Sequence, residues 1–149
     1  MQLKAQKVKL GALMKKSFII LILLIPILII GGFWLAGNSL TSPVPAIVGS
    51  CSSDIACENV EFASESGSNI KGWFLKGQEN KGVVVIMHGL RSNRLNLIER
   101  TKFLHNAGYS VLAFDFQGSG ESIGKQLTFG YLESRDANAS LKFIKQKLP

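Results

Sequence analysis

The stretch FIILILLIPILIIGGFWLA, from Phe18 to Ala36, constrains this chain more than any other, because no charged residue occurs anywhere between Ser17 and Ser53. Its nineteen residues rise about 28 Å as a helix at about 1.5 Å each, close to the roughly 30 Å of a bilayer core. A buried helix of a soluble protein would carry some polar face, and this run has none, so it predicts a membrane-inserting helix. Pro26 kinks such a helix without forbidding it.

Charge supports the same reading. The formal net charge of +7 invites a nucleic-acid partner, but five of the 17 basic residues (Lys4, Lys7, Lys9, Lys15 and Lys16) precede the apolar run, and no acid does. The remainder holds 12 basic against 10 acidic residues, with no basic patch interleaved with aromatics, and a nucleic-acid partner is not expected. Basic residues concentrated on one flank of a span mark its cytoplasmic side. Two fates stay open for the segment. "MKKSFII" from Met14 resembles the start of a signal peptide, and cleavage after Ala46 or Ser50 is one alternative. Trp34-Leu35-Ala36 is a poor small-x-small cleavage site, which favours an uncleaved anchor with its N-terminus in the cytoplasm.

Cys51 and Cys57 follow in "CSSDIAC". In an oxidising compartment this spacing closes a small disulfide loop; the alternative is two free thiols in a linker. Val48-Gly49-Ser50-Cys51 has the look of a lipoprotein box but lies fifteen residues beyond the apolar run, too far for a signal-peptide site. A zinc site would need two further ligands, and no metal is expected. The composition of residues 37–57, rich in Gly, Ser and Pro at first, reads as a linker.

From residue 58 the pattern becomes that of a mixed domain. "ENVEFAS" (58–64) and "NIKGWFLKG" (69–77) alternate apolar and polar residues around the turn Glu65–Ser68, and read as a hairpin. "GVVVIMH" (82–88) and "YSVLAFDF" (109–116) are continuous apolar runs, as in strands covered on both faces. Between them, 92–108 reads as a helix with Leu97, Ile98, Thr101 and Leu104 on one face, and 131–148 reads as a second with Ala137, Leu141, Ile144 and Leu148 at 4, 3, 4 spacing. Hairpin, strand, helix, strand, helix is the start of an α/β sheet.

Two motifs carry chemistry. His88-Gly89-Leu90 stands where the 82–88 strand gives way to its helix, a place where a glycine allows a sharp turn and backbone amides face a cleft. Amides so placed stabilise an oxyanion; the alternative for these residues alone is an ordinary strand-to-helix turn. After the next strand comes Asp115-Phe-Gln-Gly118-Ser119-Gly120-Glu-Ser122. Together these motifs resemble the N-terminal half of the α/β-hydrolase superfamily, nearest its serine-aminopeptidase-like and acyl-hydrolase members, which carry an HG-x turn after the third strand and a D-x-x-G-x-G-x-S loop after the fourth. The resemblance covers about residues 58–148.

Gly120-Glu-Ser122-Ile-Gly124 also fits the G-x-S-x-G of a nucleophile elbow. An elbow serine sits on the turn between a strand and a helix, whereas Ser122 lies six residues past Phe116 with no helical face after it. We expect Ser122 to be a structural loop residue and Asp115 to hold that loop. The resemblance implies that the true elbow, the catalytic acid and the catalytic histidine all come after residue 149, so no triad member is expected within the chain. It implies an oxyanion turn made by His88 and Gly89, with the Leu90 N–H as donor and Arg91 helping to orient the loop. His105 is read as exposed or packed on its helix.

The expected fold is therefore α/β: the N-terminal half of an α/β-hydrolase sheet preceded by a transmembrane helix. Its parts are a cytoplasmic basic segment (1–17), an anchor or signal (18–36), a linker (37–57) and a partial hydrolase domain (58–149). The expected function is that of a membrane-anchored serine hydrolase cutting an ester, thioester or peptide bond, truncated before its elbow; the alternative is a catalytically inert truncated product or binding module. Partners are the membrane through 18–36 and, in a full-length relative, a small-molecule ester or peptide. The family chemistry implies no cofactor.

Overall fold

The computed structural model describes residues 2–51 and 55–148, with side chains in the first helix described from Leu13 onward. The side chains of Lys4, Lys7 and Lys9 of the basic flank, and residues 52–54 of the expected linker, lie outside that description. The chain divides into two compact units, Met1–Leu40 and Thr41–Pro149.

The first unit is helical. Helix α1 spans Gln2–Thr41 and holds Pro26, so it extends well past both ends of the 18–36 run. Its section Leu13–Thr41, 29 residues, is long and apolar enough to cross a membrane by length and composition. Apolar side chains stand exposed on all sides of it, Phe33 at 76% and Leu28 at 71% among them. A helix apolar all round is stable when something apolar surrounds it.

The second unit is built on a four-stranded sheet ordered β2-β3-β5-β4. Strands β2 (Glu58–Ala63) and β3 (Asn69–Leu75) form the expected antiparallel hairpin, with Val60 opposite Gly72. The turn closes through the Ser64 N–H donating to the Ser68 carbonyl at 2.9 Å and the Gly67 N–H to the Ser64 carbonyl at 3.0 Å. Strand β5 (Ser110–Phe114) lies antiparallel to β3 and parallel to β4 (Val83–Met87), with Val85 opposite Leu112. A 3-10 turn, Arg94–Leu97, and helix α2, Ile98–Asn106, make the crossover from β4 to β5. Leu97 and Thr101 are buried, as the expected face requires.

Side-chain alternation along β5 divides the core. Leu112 and Phe114 join Val60, Phe62, Ile70 and Phe74 on one face, where Phe143 of helix α3 (Glu133–Lys147) stacks on Phe62 at 5.0 Å. Val111 joins Trp73 and Leu75 on the other, against Ile98 and Leu104 of α2. Helix α3 meets the expected face in part: Ile144 and Leu148 pack against this core, whereas Leu141 is 53% exposed and Asp136, Ala139 and Ser140 are buried. The cause is polar. Asp136 accepts from the Ser64 Oγ at 2.6 Å and the Gln117 N–H at 2.9 Å, which turns a carboxylate inward and its apolar neighbour out.

Residues 44–51 and 55–57, expected as linker, are packed on this unit. Strand β1 (Val44–Pro45) pairs in parallel with β6 (Ser119–Gly120), the Val44 N–H donating to the Gly118 carbonyl at 2.7 Å. Val48 is buried, and the Trp73 indole donates to the Gly49 carbonyl at 3.0 Å. Of the two alternatives for the cysteines, the disulfide holds: Cys51 and Cys57 are bonded, their Cα atoms 6.5 Å apart. A Gly/Ser/Pro composition describes lack of regular structure, and here an irregular segment is fixed by its backbone hydrogen bonds rather than left loose.

Candidate active site

The carboxyl ends of the parallel strands β4 and β5 lie side by side, and each strand runs into a glycine-bearing loop. At the end of β4, His88 is buried and its ring is fixed from both sides: Nε2 accepts the Phe116 N–H at 3.0 Å, and Nδ1 lies 2.8 Å from the Gly89 carbonyl. An Nε2 that accepts leaves the proton on Nδ1, which donates to Gly89. The ring also packs edge-on against Phe116 at 5.1 Å. His88 thus pins the β4 loop to the β5 loop and has no ring nitrogen to spare.

Gly89 does not supply the sharp turn. It lies outside the left-handed region, and a Cβ there would meet nothing within 4 Å. The left-handed residue is Arg91, at φ 55°, a conformation that an arginine adopts only under constraint. Its Nη1 lies 3.5 Å from the Ser42 carbonyl. Leu90, between them, is 57% exposed. Among the described residues no hydrogen bond engages its N–H. A cavity of about 370 Å³ opens here, lined by His88, Leu90, Phe116, Leu127, Phe129 and Glu133 among others.

The β5 loop is the opposite case. Asp115 is fully buried and accepts from the Arg94 N–H at 2.7 Å and the Glu121 N–H at 3.0 Å, besides pairing with the Arg94 guanidinium. Arg94, 2% exposed, also reaches Glu121 at 2.5 Å and lies 4.9 Å over the Trp73 ring. Partial burial pushes the Glu121 carboxyl up; the N–H groups of Gly49 and Val48 and the Arg94 guanidinium outweigh it and hold it below the usual carboxylate range. A Cβ on Gly120, at φ 53°, would lie 2.2 Å from the Asp115 Oδ2.

Ser122 belongs to that network. It is 2% exposed, its Oγ donates to the Asp115 carbonyl at 2.7 Å and accepts the Lys71 N–H at 3.0 Å. A hydroxyl so enclosed has neither access to a substrate nor a base to activate it. His105, on α2, is half-buried and is not among the residues that line the cavity. Sequence reading missed Arg94, Glu133 and Asp136. For the last two a signal existed, since acidic residues in a helix's first turn are favoured by the helix dipole; for a buried Arg94 there was none.

Residues 78–149 match the family described as serine aminopeptidase, S33. The uncharacterized protein YqkD of Bacillus subtilis is 30% identical over 84 residues, which are 56% of this chain and 28% of YqkD. The uncharacterized protein YfhR of Salmonella typhimurium is 24% identical over 134 residues, 87% of this chain and 42% of YfhR. The chain therefore spans less than half the length of these curated relatives. Among solved structures, the esterase Pf2001 of Pyrococcus furiosus aligns with a TM-score of 0.62 at 31% identity, covering 72% of this chain and 42% of the esterase. The α/β hydrolase GrgF of a Penicillium species aligns at 0.53 and 20% identity over 61% of this chain and 32% of its own, a likeness of fold alone. The order of its strands, its two loops and these likenesses show that the chain carries a part of the α/β-hydrolase fold, with residues 78–149 similar to the serine aminopeptidase family.

Proposed function

We propose that this chain is the oxyanion-turn portion of a membrane-anchored serine hydrolase that cleaves an ester, thioester or peptide bond. The observation that carries the reading is the Leu90 N–H, unengaged among the described residues and set beside a cavity at the carboxyl ends of β4 and β5. A donor held there without a partner is available to a developing oxyanion. His88 and Gly89 serve that turn, His88 by pinning it to Phe116. The nucleophile, acid and histidine are supplied by sequence outside these 149 residues, which accords with the short share of its relatives that the chain spans. Helix α1 anchors the protein, with residues 1–17 cytoplasmic, 18–36 in the bilayer and 58–149 outside the cytoplasm. The basic flank supports that orientation, and so does the Cys51–Cys57 disulfide, a bond of oxidising compartments.

The test is to read the coding frame past residue 149, express the continued protein in membranes and assay p-nitrophenyl butyrate. We expect an apolar strand and a G-x-S-x-G within about 20 residues, and turnover that disappears when that serine becomes alanine. Leu90→Pro, which removes the N–H, should lower kcat by about 10²- to 10³-fold with little change in KM. Turnover abolished by Ser122→Ala, or indifferent to Leu90→Pro, would sink the reading.

A further inference from the structure

The cavity beside Leu90 has a wall whose conformation is enforced. Phe129 lines it in the left-handed region at φ 51°, with its side chain 61% exposed. A phenylalanine stays there only where its surroundings over-determine it. The surroundings here are one carboxylate. Glu133 Oε1 accepts from the Thr128 N–H at 2.9 Å and the Gln117 Nε2 at 3.1 Å; Oε2 accepts from the Thr128 Oγ1 at 2.6 Å and the Gly130 N–H at 2.8 Å. The two residues so gripped, Thr128 and Gly130, flank Phe129. The grip itself is anchored, because Gln117 is 2% exposed and donates to the Gln126 carbonyl at 2.6 Å.

That geometry also decides what the cavity accepts. Its lining is apolar at Leu90, Phe116, Leu127 and Phe129. Glu133 lines it too, but all four of its hydrogen bonds run to its own loop and to Gln117, so it has little left to offer a ligand's ammonium group. Arg91, the other charged lining residue, repels a cation. We propose that Glu133 is a positioning residue that holds Phe129 as the wall of an apolar subsite, and that this subsite takes the neutral, apolar acyl chain of the substrate in preference to a chain bearing an amine. The inference rests on the reading of Leu90 as the oxyanion donor, since that donor is what places an acyl group beside the cavity.

The test needs no turnover. The full chain, isotope-labelled in detergent micelles, is titrated with hexanamide and with 6-aminohexanamide, and the backbone amide resonances of Leu90, Phe129 and Gly130 are followed. Hexanamide should move all three and bind at least about tenfold more tightly than its amine analogue, which must desolvate a charge. Phe129→Gly keeps the left-handed backbone without strain and so preserves the fold; it should weaken hexanamide about fivefold through the lost ring. Glu133→Gln turns an amide donor toward other donors, and should shift the Phe129 resonance and weaken hexanamide together. Equal binding of the two amides, no response to hexanamide, or unchanged affinity in Phe129→Gly overturns the subsite. A Glu133→Gln variant that melts earlier but binds hexanamide normally overturns the positioning role. If Phe129 and Gly130 respond while the Leu90 amide stays still, the subsite stands and the oxyanion reading falls.

Discussion

The loops that follow β4 and β5 start from adjacent parallel strands and both carry glycines, yet they are built for opposite ends. The β5 loop is closed: Asp115, Arg94, Glu121 and Ser122 direct their hydrogen bonds to one another and to neighbouring backbone. The β4 loop is open, with Leu90 exposed and its N–H unengaged among the described residues. Of the two loops, the β4 loop is the one that sets an N–H unengaged among the described residues beside the cavity that Leu90 lines. The lesson is that a G-x-S-x-G string has catalytic meaning through its place between a strand and a helix, not through its letters.

The comparison breaks most visibly at Asp115. Asp115→Asn keeps the volume but leaves the buried Arg94 guanidinium without its closest countercharge, and should cost about 3–5 kcal/mol of stability. Chemical denaturation of the full chain in detergent measures it; a loss under about 1 kcal/mol would mean that the β5 loop is not held by this pair. Gly120→Ala comes next. Its Cβ would lie 2.2 Å from Asp115 Oδ2 at φ 53°, so the network must shift, at about 3 kcal/mol. Ser122→Ala removes a donor to the Asp115 carbonyl and an acceptor for the Lys71 N–H, and should cost about 2 kcal/mol. In a continued, active protein the same change should leave the kcat of the folded fraction unaltered, which separates a loop serine from a nucleophile.

How much of this was legible in the sequence follows from what kind of force fixes each part. The strands were readable because apolar alternation and β-branched runs respond to burial, which sequence encodes locally: β3, β4 and β5 lie within the expected runs. The inward face of α3 was read in part: Ile144 and Leu148 pack inward as expected, but Leu141 does not, and Asp136, a carboxylate, is drawn in by Ser64 and Gln117, partners distant in sequence. The packed segment 44–49 was misread for the same reason, since Glu121 and Trp73 hold its backbone. At the site, the motif located the β4 turn correctly in the chain, while the residue carrying its left-handed turn proved to be Arg91 rather than Gly89. Polar, long-range ties leave no periodic trace, and they decide most of what was missed.

A smaller effect is set by pH at the entrance to α3. Burial pushes the Glu133 carboxyl up, but the Thr128 hydroxyl and the N–H groups of Thr128 and Gly130 outweigh it and bring its pKa down to about 2. A depressed carboxylate contributes stability that is present above its unfolded value near 4.5 and is lost as pH falls through the folded value. Unfolding free energy should therefore decline between about pH 4.5 and pH 2 by about 1.5 kcal/mol from this group, after allowance for its partial exposure. Comparison with Glu133→Gln isolates the contribution: the variant should show a shallower decline over that window. Parallel pH profiles in the two proteins would show that the clamp on Phe129 does not depend on the charge of Glu133.

The smallest change in stability belongs to the residue that the motif makes most conspicuous. Gly89→Ala introduces a methyl with nothing within 4 Å and no left-handed backbone to strain, so the fold should register less than about 0.5 kcal/mol. The gain or loss of unfolded-state freedom is of that order too. Activity is another matter. The space that the methyl enters borders the cavity that Gly89 lines with Leu90, where an acyl oxygen would approach the Leu90 N–H. In the continued protein Gly89→Ala should therefore depress kcat/KM by at least about tenfold while the melting temperature stays put. The pairing sharpens the contrast between the loops: in the β5 loop an added methyl at Gly120 damages the fold, and in the β4 loop an added methyl damages only what the fold presents. A Gly89→Ala protein that melts early would place this glycine in the scaffold with Gly120, and one that turns over normally would leave the β4 loop without its claim to the chemistry.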